Sequence, residues 1–486
     1  MKQTSIKTNF IYNILYQILI IIVPLITSPY LTRIIGAEGL GIYTFTQSYA
    51  HYFVLFIMLG INNYGNREIA KARDAKDKTN KVFSEVFCIQ LFMLIVLSLM
   101  YLMSLIFIVK ENKIIYWIQF FYVISAGFDI NWCCFGLEKF KLTVTRNSIV
   151  KILGAVLIFL LVKGQDDLWI YALIMTLSAL VSQLIVWPFI LKEVNFVKID
   201  FNNVKERIRP ILKLFLPVIA VSLYNIMDKL MLGLFSSKAE VGFYTYSEQI
   251  ISIPRSFISA LGTVMLPRAA NLIQNGKERE NISLLNRSMQ LAMLICMAST
   301  FGVISISNVF IPWYYGELFR RCVLFTILLS PTVIFAGWNN VIRTQFVIPR
   351  SLDNIYLVTV STGALTNLLL NLVLIPHFDG TGAIIATVFA EFSVCFAQFL
   401  LLKKKLSYKP FLGDAFVFLL FGVIMLAALL FIPELFKIKI IEIIFRIFLG
   451  ALIFVGLSFV YLYSFKKDYF YFDYIKLVSR KFSKTK

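Results

Sequence analysis

The sequence is poor in what aqueous chemistry needs. Only two histidines, His51 and His377, occur in 486 residues, so a metal or acid–base centre built on imidazole has almost nothing to draw on. The six cysteines (Cys88, Cys133, Cys134, Cys296, Cys322 and Cys395) lie in or at the edge of apolar runs and lack C-x-x-C spacing. They read as small buried hydrophobes rather than as a disulfide framework or a metal cluster. Charged residues are 15% of the chain, against about 25% in a soluble domain, which removes water as the solvent for most of the surface. The longest polar segments, 66–81 and 192–213, hold no Gly-rich phosphate loop, no carboxylate pair at metal spacing and no Ser/His/Asp set. These absences argue against a soluble enzyme, and no metal or organic cofactor is expected.

What the chain has instead is apolar length. Apolar residues make up 59% of it, and runs of about 20 residues, enough to cross a ~30 Å hydrocarbon core, recur from end to end. The spans fall near 10–32, 41–65, 82–109, 114–136, 142–162, 168–191, 211–235, 241–265, 289–311, 322–348, 354–375, 381–402, 414–432 and 440–464. The expectation is an all-α polytopic membrane protein with 14 transmembrane helices. The runs lack the period-2 alternation of barrel strands, and only helices or closed barrels satisfy the backbone in lipid. The first run is too long for a signal peptide and lacks a small-x-small cleavage site, so it reads as a retained helix.

The net charge of +20 invites a nucleic-acid reading until its distribution is considered. With loops assigned alternately to two sides, and Arg146 and Lys213 near the span edges counted with their loops, 33 of the 47 Lys and Arg fall on the side of the N-terminus and 9 on the other; five lie deeper within helices. This bias is the positive-inside rule and places both termini in the cytoplasm. Nucleic acid is therefore not an expected partner. The basic tail (Lys466, Lys467, Lys476, Arg480, Lys481, Lys484, Lys486) is expected against anionic membrane lipid. The loops on the far side are short, the longest near 312–321, and leave no room for a soluble domain there.

A repeat organises the chain. GIYTFTQSY (Gly41–Tyr49) has a near-copy in GFYTYSEQI (Gly242–Ile250), with Gly41, Tyr43 and Thr44 matching Gly242, Tyr244 and Thr245 at a constant offset. The copies open the second and eighth helices. An even number of crossings separates them, so the repeat is parallel, with a pseudo-twofold along the membrane normal. Two six-helix lobes are expected, at 1–196 and 197–408, followed by two extra helices and the tail at 409–486. The basic linker 192–213 reads as a surface-lying helix.

Several stretches together resemble the Wzx-type polysaccharide flippases of the multidrug/oligosaccharidyl-lipid/polysaccharide (MOP) exporter superfamily. They are SPYLTRIIGAEGLGIYTFTQS (Ser28–Ser48), LGINNYGNREIAKAR (Leu59–Arg73), DINWCCFGLEKFKLTVTRNSIVKI (Asp129–Ile152), YNIMDKLMLG (Tyr224–Gly233) and VGFYTYSEQI (Val241–Ile250). Cys133 and Cys134 stand where that family favours bulkier residues. The resemblance implies a V-shaped bundle moving lipid-linked oligosaccharide across the bacterial plasma membrane by alternating access.

Charges within the spans are the candidate site, because each costs about 2.5–3.5 kcal/mol at a helix centre and so needs a partner, water or a function. Glu248, Ser252 and Arg255 share one face of the eighth helix, bent by Pro254. The face reads as a cavity stripe with Arg255 towards an anionic substrate, or as a Glu–Arg link to a neighbour. Asp228 and Lys229 are adjacent on the seventh helix and point in different directions; Lys229 faces a cavity or snorkels outward. Arg33 reads as a substrate contact at the mouth or as an interfacial anchor with Glu38. Glu391, with no basic residue within a turn, is a proton-coupling candidate or a hydrogen-bonded structural side chain. Asp129 and Asn131 divide the same way, and His51 reads as a satisfied core histidine. Lys151 and Arg343, near cytoplasmic ends, snorkel or meet the lipid headgroup first. Arg446 follows Glu442 by four residues and reads as a local ion pair.

The cationic set Arg33, Lys151, Lys229, Arg255 and Arg343 suits a diphosphate in a low-dielectric cavity. The coupling-ion or polar-cavity set is Glu248, Glu391, Asp129 and Asp228, with H⁺ or Na⁺ as the ion. Asn13, Gln17, Gln47, Asn225, Asn339 and Asn340 are candidate sugar contacts. The expected function is a flippase for undecaprenyl-diphosphate-linked oligosaccharide, partnered by substrate, membrane lipid and polysaccharide-assembly machinery. The alternatives are a multidrug or other lipid-linked substrate exporter of the same architecture and, from another class, a membrane polysaccharide polymerase. A polymerase needs a large external loop with catalytic Arg or His, and the loops here are too short.

Overall fold

The computed structural model describes residues 6–465, with side chains from 19 to 222 and from 226 to 465. The basic tail cations from Lys466 to Lys486 and the side chains of Asn13, Gln17 and Asn225 lie outside the described residues. Every regular element among the described residues is a helix. Ten of these helices are long and apolar enough to cross a membrane, eleven if the bent pair 201–222 and 226–235 counts as one span. The chain forms two compact units that divide between Thr245 and Tyr246.

The first unit begins with α1 (Ile6–Ile34), α2 (Gly36–Met58), α3 (Ile61–Ala72), α4 (Lys76–Phe107) and α5 (Lys113–Gly127). It continues with α6 (Asn131–Gly136), α7 (Phe140–Leu161), α8 (Leu168–Leu184), α9 (Trp187–Ile190) and α10 (Phe201–Phe235). The first residues of α11 (Lys238–Gln274) complete it. Three of this unit's expected spans are broken, one of them, 168–191, between α8 and α9. The 41–65 run stops at Leu59, which adopts φ 45°, and α3 then turns away as a short amphipathic helix that buries Ile61, Tyr64, Ile69 and Ala72. The 114–136 run breaks between α5 and α6, and Gln90 of α4 makes that break tolerable. Its amide donates to the Ala126 carbonyl at 2.7 Å and to the Asp129 carbonyl at 2.9 Å, while Trp132 Nε1 donates to its oxygen at 3.1 Å. Helix-end carbonyls that lipid could not satisfy thus find a buried side-chain donor.

The linker differs from its expectation. Residues 195–200 are not helical, and the helix from Phe201 runs on into the span as α10 rather than lying separately. Asn80 and Ser84 of α4 strap the strand of linker, accepting from Asn195 N at 2.9 Å and Val197 N at 3.0 Å. Arg207 then reaches Glu85 at 2.6 Å and the Tyr64 hydroxyl at 3.0 Å. These contacts come from elements more than a hundred residues away, so local amphipathicity could not report them.

The two copies of the repeat meet backbone to backbone. A Cβ at Gly41 would collide with the Lys238 carbonyl and reach Gly242 N at 3.1 Å; a Cβ at Gly242 would collide with the Ala37 carbonyl. Glycine at both positions is what lets α2 and the start of α11 approach this closely.

The second unit holds the rest of α11, then α12 (Glu278–Tyr315), α13 (Arg321–Leu329), α14 (Thr332–Ile342), α15 (Asp353–Leu402), α16 (Lys409–Phe431) and α17 (Lys439–Phe465). Fifty residues of unbroken helix would run about 75 Å, more than twice a hydrocarbon core. α15 is instead broken at Asp379, which has φ 51°, giving arms 353–378 and 380–402. α12, α16 and α17 are stitched through Asp414, which accepts from Gln290 Nε2 at 3.1 Å and from the Tyr461 hydroxyl at 2.8 Å. The turn between α16 and α17 is closed by a buried pair, Arg446 to Glu442 at 2.5 Å. Arg446 also donates to the Leu429 and Ile432 carbonyls, and Glu442 accepts from Leu435 and Phe436 N. The outward faces of these helices carry exposed Phe416, Phe431, Ile444, Phe448 and Phe459, as lipid contact requires.

Candidate functional site

Each unit carries its own polar cluster among apolar helices. In the second unit it is centred on α11. Pro254 lies inside that helix, and the next residue, Arg255, donates from its terminal nitrogen to Glu391 Oε1 at 3.0 Å. The Glu391 side chain is 5% exposed and that of Arg255 26%, so the carboxylate is buried while the arginine side chain is only partly covered. No basic residue lies within a turn of Glu391 in sequence, and the structure supplies one from elsewhere. Its partner comes from another helix, 136 residues away in sequence, where i±4 reasoning does not look.

Around the pair, α11 presents a face of small hydroxyls. Ser252, Ser259 and Thr263 are exposed and Ser256 is half-exposed. Ser256 and Thr263 return their hydrogens to the carbonyls of Ser252 and Ser259. That leaves oxygen lone pairs outward on a helix otherwise suited to lipid. The second arm of α15 continues the polar track from Glu391 to Gln398, whose amide donates to Asn339 Oδ1 at 2.6 Å. Asn340, one residue on, lies against Gly262 of α11.

α14 ends in a π-helical turn, Arg343–Val347. Such turns widen a helix and often occur at functional sites. Arg343 sits in it half-buried with its guanidinium 5.9 Å from the Tyr356 ring centre, and its Nε is buried without a hydrogen-bond partner. Gln345, in the same turn, is fully buried with neither side-chain atom hydrogen-bonded. Gln345 is not among the candidate residues of the sequence. A glutamine between Thr344 and Phe346 was the available signal. Glu248, half-buried, lies two turns before Arg255 on α11.

In the first unit, Asp228 is buried and accepts from the Tyr244 hydroxyl at 2.6 Å. Lys229 beside it is half-buried. His51 bonds the Tyr122 hydroxyl at 2.8 Å through Nδ1, in keeping with a satisfied core histidine. Arg33 is exposed and donates to the Pro29 carbonyl at 2.7 Å. Asp129 has a local duty, accepting from Asn131 N at 2.9 Å at the start of α6.

The strongest polar node of this unit is Arg146, near the start of the expected span 142–162 and not among the candidate charges. It is 4% exposed, and its guanidinium donates to Asn131 at 3.1 Å, to Asn147 at 2.7 Å and to Gln183 at 3.4 Å. Asn131 in turn donates to the Gln183 oxygen at 3.2 Å, and Ser182 to Asn147 at 3.0 Å. Lys151, half-buried, follows Asn147 by one helical turn. The signal available was the Arg146-Asn147 pair one turn before Lys151, with Gln183 opposite. The structure brings Asp129, Asn131 and Lys151 into the neighbourhood of this node, and it leaves Arg33 outside it.

Residues 6–273 match the family described as polysaccharide biosynthesis protein. The chain is similar to a protein of Escherichia coli (strain K12) titled "Putative O-antigen transporter", 26% identical over 80% of this chain and 95% of that one. It is also similar to the "Probable low-salt glycan biosynthesis flippase Agl15" of Haloferax volcanii, 25% identical over 50% of this chain and 51% of the relative. Among solved structures it resembles the lipid II flippase MurJ in an inward closed conformation, with a TM-score of 0.72, 16% identity, and 94% and 98% of the two chains covered. An inward-facing multidrug resistance MATE family transporter of the MOP superfamily has a TM-score of 0.54 at 14% identity, with 88% and 96% covered. These two likenesses speak to the fold. The relatives are named as transporters or flippases, and the chain is a multi-pass membrane protein. The chain belongs to the polysaccharide biosynthesis protein family.

Proposed function

We propose that the chain flips undecaprenyl-diphosphate-linked oligosaccharide units across the bacterial plasma membrane by alternating access, coupled to H⁺ or Na⁺, for surface polysaccharide assembly. The observation that carries this reading is the α11 face: a partly exposed Arg255 paired with a buried carboxylate and flanked by exposed hydroxyls. Cationic donors attract the diphosphate, and hydroxyls and amides such as Asn339 exchange hydrogen bonds with sugar. Pairing Arg255 with Glu391 moderates its attraction, so that substrate is held and still released.

Arg33, Lys151, Lys229 and Arg343 are the further cations proposed for substrate. Glu248, Glu391, Asp129 and Asp228 are proposed for the coupling ion or the polar lining. Fourteen crossings follow when α1, α2, the bent α10 and both arms of α15 each count as spans. The proposal includes two lobes at 1–196 and 197–408, related by the parallel repeat, with both termini cytoplasmic and 409–486 as an appendix. The names of the relatives, one an O-antigen transporter and one a glycan biosynthesis flippase, support the substrate class.

A multidrug exporter of the same fold is the second reading. It calls for an unneutralised acidic cavity to hold cationic drugs, and Glu391 is matched by Arg255. Deletion in the native strain tests the choice. Complete lipid-linked glycan units should accumulate and surface polysaccharide should be lost. Unchanged polysaccharide with new drug sensitivity would overturn the flippase reading.

A further inference from the structure

Away from these clusters, where α3, α4 and α10 of the first unit converge, lies a cavity of about 310 Å³. Lys71, Lys78, Lys81 and Arg207 line it, together with Glu68 and Asn203. Four cations there face two carboxylates. Glu68 accepts from Lys71 at 3.0 Å and Arg67 at 3.1 Å. Glu85, behind the wall, takes Arg207 at 2.6 Å and lies 4.0 Å from Lys81. Two positive charges remain over. Asp74 and Asp77 on the same stretch do not line the cavity, and Lys78 has no acidic partner within ion-pair distance among the described residues.

The position of this excess charge identifies its ligand. The cavity sits at the first turns of α4 and α10, where membrane-crossing segments begin. Exposed Phe196, Val197, Phe201 and Ile208 flank it, and further along α4 the exposed surface becomes Phe92, Ile95 and Leu99. A soluble phosphate gains nothing from exposed phenylalanine. A phospholipid places its phosphate among the lysines and its acyl chains along the apolar faces. α3, with its apolar side buried and Arg67 and Lys71 outward, has the form of a helix lying at the headgroup level.

We propose that this cavity is a binding site for the phosphate headgroup of an anionic membrane phospholipid, separate from the path of the transported substrate. Lys78 and Lys81 make the phosphate contacts, and Arg207, positioned by Glu85 and Tyr64, forms the floor. Bound lipid would fix α3 and the linker to α4. The proposal does not depend on which substrate is moved, so it stands or falls apart from the flippase reading.

Native mass spectrometry of the full-length protein in detergent tests it, with phosphatidylglycerol or phosphatidylcholine added. Wild type should retain phosphatidylglycerol preferentially. Lys78→Gln/Lys81→Gln should weaken that retention on the order of thirtyfold, two cations' worth at an anionic surface. Equal retention of the two lipids by wild type, or an undiminished preference in the variant, would overturn the site. So would displacement of phosphatidylglycerol by millimolar inorganic phosphate, which marks a soluble-anion site. If the double variant unfolds at a lower temperature than wild type, Lys78→Arg/Lys81→Arg decides. Preference restored with the charge supports the site, and preference still lost contradicts it.

Discussion

Arg255 and Glu391 hold each other across two helices at 3.0 Å, and this pairing sets what substitution does. Removing one partner strands the other in a low-dielectric interior, a loss of about 3–5 kcal/mol for a buried pair, less here because the Arg255 side chain keeps 26% exposure. Arg255→Ala should therefore abolish complementation and lower thermal stability, while Arg255→Lys restores part of both. The reversed pair, Arg255→Glu with Glu391→Arg, separates structure from transport. If the bridge only braces the helices, the swap recovers transport; if the guanidinium meets a diphosphate from α11, stability recovers and transport does not. Arg446 gives the structural contrast. Arg446→Met leaves Glu442 buried, and the unfolding temperature should fall by the same order of energy. An unchanged temperature would show that the pair contributes nothing to closing the α16–α17 turn. The Glu442–Arg446 bridge was legible in the sequence because i, i+4 spacing is a local signal. Arg255–Glu391 and the Arg146 node were not, since their partners meet only after folding.

The helices show the same division between local and distant causes. Apolar length located the spans, but not where they break, because the breaks depend on groups that the spans do not contain. The gap between α5 and α6 exists because Gln90 of α4 feeds its carbonyls, and 201–213 joins α10 because Glu85, Tyr64, Asn80 and Ser84 hold that end. The repeat was legible as letters, and its meaning in the structure is a glycine-to-glycine approach. Gly242→Val should push α11 from α2. Overpacking of this kind costs about 1–3 kcal/mol, measurable as a lowered unfolding temperature in detergent. Wild-type stability in that variant would mean that the close approach at Ala37 and Lys238 is not needed. A matching loss from Gly41→Val and from Gly242→Val is what two equivalent copies require.

At the scale of the molecule, the proposed transport rests on a membrane protein whose segment 242–255 carries more charge than its near-copy at 41–54. The sequence made the class plain through apolar length and the one-sided distribution of Lys and Arg. It could not rank the intramembrane charges, since burial and partner decide which of them is available to a ligand. Substrate effects should accordingly be asymmetric, stronger for changes on α11 than at the equivalent positions Gln47, His51 and Val54 of α2. The most direct measurement is flipping itself. Purified protein is reconstituted into vesicles holding undecaprenyl-diphosphate-linked oligosaccharide, and an impermeant glycan-oxidising reagent reads the outer leaflet over time. The account predicts that wild type exposes the inner-leaflet pool and that Arg255→Ala leaves it protected. Protection that persists with wild-type protein under imposed H⁺ and Na⁺ gradients would contradict it.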